Sequence, residues 1–185
     1  MNIFFPKEHI NEARFSLTGE TAEKFLKKNI DLYVEETNQF QDALLENLIE
    51  TEKVKTISRQ KGLSSADIIC SLNKLSLDDI AYVKQDTLVV SFLDPFNEVE
   101  LISELKNRSI SSISMELVPR TTRAQKMDAL SSQANLAGYS AVIIASNHLE
   151  KALPMMMTAA GTISPSKVFV VGVGVAGLQA IATAK

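Results

Sequence analysis

The sequence predicts an α/β fold: a lobe built on an open, mostly parallel sheet, then a long connecting helix, then the first strand and helix of a second lobe of the same Rossmann-like kind. Three observations carry that prediction. Short apolar, β-branched runs alternate with segments of helical period from Ile3 to Met115, the pattern of strands joined by crossover helices. From Arg123 to Leu149 only Gly138 interrupts a run otherwise free of Gly and Pro. The stretch KVFVVGVGVAGLQAIATAK then places Gly172, Gly174 and Gly177 at the spacing G-x-G-x-x-G, directly after the β-branched and aromatic run Val168 to Val171.

Ile3 to Phe5 reads as a buried strand stopped by Pro6, which has no N–H to donate. Ala22, Phe25 and Leu26 then recur at helical spacing, and Leu32 to Val34 resumes a strand. Further strands are expected at Val54–Ile57, Asp67–Cys70, Leu88–Phe92 and Ser111–Met115. Helices are expected at Leu77–Val83, with Ser76 and Asp79 as a capping pair, and at Glu98–Asn107. The run Arg123–Leu149 reads as one helix of about 27 residues, roughly 40 Å long at 1.5 Å per residue. Met127, Leu130, Ala134, Ala137, Val142 and Ala145 supply its apolar stripes, and Ser131, Ala134 and Gly138 allow close packing.

Composition narrows the classes. At 185 residues, 45% hydrophobic and 22% charged, the chain suits one domain plus part of another, or two small domains, and it is not a disordered composition. A net charge of −3 gives no general attraction to nucleic acid or anionic lipid. Cys70, the single cysteine, reads as a strand residue rather than a nucleophile. The start MNIFFPKEH lacks the basic and long apolar regions of a secretory signal, so an intracellular compartment is expected.

In a G-x-G-x-x-G turn the first glycine permits a sharp bend, the second lets backbone approach a pyrophosphate, and the third lets helix pack closely on strand. The helix N-terminus adds unpaired N–H groups and a positive dipole end. Two plainer readings stand beside this one: a core strand followed by an ordinary helix, and a short membrane segment. About 17 residues without formal charge lie near the lower limit for a span.

The densest polar cluster is VPRTTRAQKMDALSS. With a helix beginning near Thr122, Gln125, Asp128 and Ser131 or Ser132 lie within one or two turns, with Arg120 just before them. That set could hold a carboxamide and its pyridine ring by hydrogen bonds, or could be helix-end charges worth little. Lys7, Glu8, His9, Glu12 and Arg14 follow the first strand, where open α/β sheets place ligands, though the same residues read first as a solvated charged loop. Met155, Met156 and Met157 read as core filling. His148 has no second ligand at metal spacing, and no metal site is assigned.

RAQKMDALSSQANLAGYSAV, followed by PMMMTAAGTISPSKVFVVGVGVAGLQAIATAK, closely resembles the NAD(H)-binding domain of the proton-translocating NAD(P) transhydrogenase alpha subunit, within the alanine dehydrogenase/transhydrogenase family. The opening PKE-x(3)-NEAR-x-SLT is similar to that family's start. The resemblance spans roughly the whole chain, strongly from Met115 onward and weakly between about Glu36 and Leu77. It implies a two-lobed NAD(H)-binding domain: residues 1–120 as the N-terminal lobe, 121–150 as connecting helix, and 151–185 as the start of the dinucleotide-binding lobe. Carried over by match, Arg120, Gln125, Asp128 and Ser131 surround the nicotinamide, and Gly172, Gly174, Val175, Ala176 and Gly177 form the pyrophosphate turn. The resemblance further implies NADP(H) on a separate domain or subunit, a membrane partner that couples hydride transfer to proton movement, a homodimer of the NAD(H)-binding domain, and a cytoplasmic, peripheral location at the inner membrane.

Two departures qualify it. The family's glycine-rich stretch after the second strand is replaced by VEETNQFQDALLENLIE, and Ser71 in ADIICSLNK stands near the lysine that helps hold the keto acid in the alanine dehydrogenase branch. The second argues against an alanine dehydrogenase. The remaining strands of the second lobe and its ribose-binding acid are expected beyond Lys185, so the chain reads as a fragment or split gene product, inactive in isolation. An amino-acid dehydrogenase and a degenerate, non-catalytic binding chain are the alternatives.

Overall fold

The computed structural model describes residues 1–9, 11–36 and 41–185, so part of the glycine-poor stretch after the second strand lies outside the described residues. The chain divides into two compact units, Met1–Val118 and Pro119–Lys185.

The first unit is a six-stranded parallel sheet: β1 (Asn2–Phe5), β2 (Asp31–Glu35), β3 (Lys55–Ile57), β4 (Ile68–Asn73), β5 (Leu88–Phe92) and β6 (Ser111–Ser114). Crossovers run through α1 (Gly19–Leu26), α2 (Ala43–Glu50), α3 (Arg59–Ser65), α4 (Leu77–Tyr82) and α5 (Val99–Asn107). The spatial order is β3-β2-β1-β4-β5-β6, the doubly wound arrangement whose order reverses beside β1. Alternation along β1 feeds two cores. Phe4 joins Ile69, Ile80, Val89 and Leu101 on one face, while Ile3 and Phe5 join Leu32, Val34, Leu45 and Val54 on the other, which is why this central strand reads as continuously apolar.

The caps follow from local chemistry. Ser76 and Asp79 form the expected capping box on α4. Asp42 caps α2 by accepting from Leu44 N and Leu45 N, and also accepts from Gly19 N at 2.8 Å, tying the starts of α1 and α2 together. The sequence pattern anticipates neither α2 nor α3.

The second unit holds α6 (Ala129–His148), an antiparallel hairpin of β7 (Met156–Thr158) and β8 (Gly161–Ile163), and α7 (Val175–Ala184). Three expectations are corrected here. The long helix starts at Ala129 rather than near Arg123, because Asp128 leaves the helical region (φ −76°, ψ 80°) and accepts from Ser131 N at 2.9 Å, while Gln125–Met127 form a separate 3-10 turn. Met155, Met156 and Met157 are not core residues: they are 61%, 44% and 83% exposed on and beside the hairpin. Val168 to Val171 forms no paired strand among the described residues, since an extended segment becomes a strand only through a ladder partner. Of the apolar stripes expected on α6, Val142 is buried together with Gly138, while Met127, Leu130, Ala137 and Ala145 face outward.

Candidate functional site

The glycine turn is built by what its residues lack. Gly172 has φ +95°, a conformation L side chains rarely adopt. A Cβ added at Gly172 or Gly174 would meet nothing within 4 Å. Backbone is therefore open to a ligand on that side. At Gly177 the reverse holds: a Cβ would stand 2.1 Å from Gly172 O, so the turn closes on itself only because position 177 has no side chain. Gly174 caps α7, and Leu178 N donates to Gly174 O at 2.9 Å as the helix begins. The N–H groups of Val175, Ala176 and Gly177 precede that bond and have no intrahelical acceptor. A helix N-terminus with free donors, a positive dipole end and no side chains in front of it fits a pyrophosphate. The apolar tail holds no helix long and apolar enough to cross a membrane among the described residues. Its helix covers only Val175–Ala184.

The polar cluster gathers at the N-terminal end of α6. Asp128 accepts from Ser131 N at 2.9 Å and from Ser131 Oγ at 2.7 Å. These bonds, with the nearby Arg120 charge, hold its carboxyl below the ordinary aspartate range despite some desolvation. Both of its oxygens are thus engaged in starting the helix. Arg120 and Gln125 are exposed. The structure brings Asp128 and Ser131 into contact and carries Arg120 close enough to act on Asp128 electrostatically. Gln125 opens the 3-10 turn that leads into Asp128, its carbonyl accepting from Asp128 N at 3.3 Å. Among the described residues no group of His, Cys, Asp and Glu is arranged to hold a metal ion.

The first unit has a crevice of about 380 Å³ where its strand order reverses, lined by Pro6–His9 after β1, by Glu35 and Arg59, and by Ser71 and Asn73–Ser76 and Asp79 around the end of β4. The chain's own charges line this crevice and bond to one another. A register irregularity between Cys70 and Asn73 frees two N–H groups of β4, and the Glu8 carboxylate takes both, from Leu72 N at 2.6 Å and Asn73 N at 3.0 Å. Arg59 grips Asp79 with two bonds of 2.8 and 2.9 Å, Glu35 at 2.6 Å and Lys7 O at 3.1 Å. Burial pulls the Asp79 carboxyl up, but Arg59 and Ser76 outweigh it and leave it below the usual range. Lys74 pairs with Glu98. Ser71, standing where the keto-acid lysine is expected, is buried and donates to Asn73 O. Beside the crevice, Glu12 pairs with Arg14 at 2.6 Å, which draws the Glu12 carboxyl down to about 2. Cys70 lies inside the sheet, its thiol pushed up to about 11 by burial and by the nearby Glu8 charge, so it is no nucleophile. Sequence reasoning missed Arg59 and Glu35. Their one signal was position, at a strand end and a helix start facing the same edge of the sheet.

The profile described as "Alanine dehydrogenase/PNT, N-terminal domain" matches residues 4–137, and the corresponding C-terminal domain profile matches residues 141–185. Among curated proteins, an NAD(P) transhydrogenase subunit alpha of Rickettsia prowazekii, named as the first part of that subunit, is 44% identical over 192 residues, covering 100% of this chain and 50% of its own length. The Rhodospirillum rubrum protein of the same name is 38% identical with the same coverage. The chain thus spans about half the length of these curated relatives. Among solved structures, a transhydrogenase from Sinorhizobium meliloti superposes with a TM-score of 0.86 at 39% identity, covering 100% of this chain and 55% of that one. An L-alanine dehydrogenase superposes at 0.79 with 19% identity, a likeness of fold.

Proposed function

The chain belongs to the alanine dehydrogenase/PNT family, and from that premise we propose that it is the NAD(H)-binding part of an NAD(P) transhydrogenase alpha subunit. In this reading hydride passes between NAD(H) held here and NADP(H) held by a separate domain or subunit, and a membrane partner couples the transfer to proton translocation. The observation that carries it is the glycine turn: a helix N-terminus with free N–H donors, fronted by Gly172 and Gly174 where a Cβ would meet only open space.

Each group has its own work. The Gly172, Gly174, Val175, Ala176 and Gly177 backbone binds the pyrophosphate, and the start of α7 offsets its charge. Arg120 and Gln125, exposed at the entry to α6, hold and orient the carboxamide of the nicotinamide ring. Asp128 and Ser131 fix where that entry lies, through the two bonds between them. NAD(H), when bound, supplies or accepts the hydride. This chain's residues contribute position, and for hydride transfer position is worth several orders of magnitude.

The reading keeps a division into an N-terminal lobe (1–120), a connecting segment (121–150) whose helix is Ala129–His148, and the start of a dinucleotide-binding lobe (151–185). Leu136, Ile144 and Phe169, at 60%, 57% and 91% exposure, support coverage of the second unit in an assembly, with a homodimer and the transhydrogenase partners as the occupants. A peripheral position on the cytoplasmic face of the inner membrane follows from that assembly. An alanine dehydrogenase activity is disfavoured by Ser71, which is buried and bonded to Asn73 O.

Reduction of an NAD analogue by NADPH, with the NADP-binding domain supplied, tests the proposal. The 185-residue chain alone is expected to turn over negligibly, and adding the remaining length found in its relatives should restore the reaction. Robust turnover by these residues alone would overturn the division of labour, and no turnover by the completed subunit would overturn the function.

A further inference from the structure

Within the second unit α6 and α7 cross with almost nothing between their backbones. Gly138, one of two buried residues on α6, faces the peptide that joins Ala176 to Gly177. A Cβ built at 138 would stand 2.2 Å from Ala176 O, 2.9 Å from its carbonyl carbon and 3.0 Å from its Cα. All three are backbone atoms of the glycine turn, so no rotamer change can relieve the contact. The next buried residue, Val142, lies one turn further along α6 and packs as an ordinary side chain.

We propose that Gly138 is a positioning residue for dinucleotide binding: by having no side chain it lets α6 set the height of the first turn of α7, and with it the N–H groups of Val175, Ala176 and Gly177. The inference rests on the glycine turn being the pyrophosphate site. Gly138 itself touches no nucleotide. It acts through the Ala176 carbonyl. Ordinary carbon contacts begin near 3.5 Å, so any side chain at 138 must drive the helices apart by about 1 Å. A hydrogen bond to phosphate of about 2.9 Å does not survive that shift at full strength. The loss falls on binding, because the same donors hold the pyrophosphate in ground and transition states alike.

The test uses the completed subunit and NADH. Gly138→Ala should weaken NADH affinity about tenfold or more, the scale of one charge-assisted hydrogen bond, with single-turnover hydride transfer at saturating NADH little changed. Val142→Ala, which removes packing on the same helix without touching Ala176 O, should lower the melting temperature and leave affinity unchanged. Equal affinity in Gly138→Ala and the unaltered protein would overturn the role of Gly138 while leaving the nucleotide site standing. Failure of the unaltered protein to bind NADH would overturn the site and this proposal together. A second measurement needs no variant: NADH should slow amide exchange across residues 135–141 of α6 as well as across 172–178. Protection confined to 172–178 would contradict the coupling, whether or not Gly138→Ala folds.

Discussion

After β1 the chain enters Pro6–His9, and after the apolar run Val168 to Val171, which pairs with no strand among the described residues, it enters Gly172–Gly177; α/β folds present backbone to ligands at turns of this kind. The first turn carries charge, and its carboxylate is bonded within the chain. Glu8 occupies the free N–H groups of β4, and Arg59 ties Glu35, Asp79 and Lys7 O across the top of the sheet. The second carries no charge at all, and a Cβ at Gly172 or Gly174 would meet nothing within 4 Å among the described residues. A carboxylate supplied from within makes the first crevice a structural joint. Glycines that supply nothing leave open space in front of the second, where the proposed pyrophosphate would sit.

The largest expected effect that could break this contrast comes from Gly177→Val. The first atom of its side chain would already lie 2.1 Å from Gly172 O. Opening the turn to admit it costs two or more charge-assisted bonds to phosphate, so NADH affinity should fall by at least about 100-fold, measured by fluorescence titration, while the first unit unfolds as before.

Gln125→Asn comes next. It shortens the reach by one methylene, and a misplacement of about 1 Å can cost about 100-fold in rate. Single-turnover hydride transfer should drop sharply while NADH affinity changes only a few-fold. An unchanged rate would remove Gln125 from the site.

Arg59→Leu addresses the other region. It leaves Asp79 and Glu35 half-buried without their cation and should lower the stability of the first unit by about 2 kcal/mol in urea unfolding, with NADH affinity unaffected. The pH dependence follows from Asp79. Its folded pKa lies below its unfolded value, so its contribution is fully present above the unfolded pKa of about 3.9 and is lost as pH falls through the folded value. Acid unfolding of Arg59→Leu should therefore begin at higher pH than in the unaltered protein. The smallest effect is expected at the other end of the strands, just before β4. There Lys84 and Asp67 pair at 2.7 Å but are 40% and 45% exposed, and Lys84→Ala should cost no more than about 0.5 kcal/mol.

These contrasts also mark what was legible in the residues. The strands of the first unit were, because β1 and β2 place alternate side chains in two cores while β5 buries Val89 in one of them, and so they read as apolar runs. So was the α4 cap, a local exchange between Ser76 and Asp79. Helices α2 and α3 were not: α3 is seven residues long and buries only Gly62 and Leu63, too little for a period to emerge. The start of the long helix was misjudged because the absence of Gly and Pro does not guarantee continuity, and an aspartate followed three residues on by a serine N–H makes an effective stop. The methionines misled because hydrophobicity alone does not say that a partner surface lies over them. At the site, the glycine spacing carried its own geometry, whereas the Arg59 network joins residues 24 and 20 positions apart and becomes visible only once the sheet is folded.

The most direct test of the central contrast is a map of backbone amide exchange in the completed subunit with and without saturating NADH. The account predicts protection across Gly172–Gly177 and at the start of α6 around Gln125–Ser131, with Lys7–His9 and Ser71–Ser76 unchanged. Protection of the first unit's crevice with the glycine turn unaffected would contradict it.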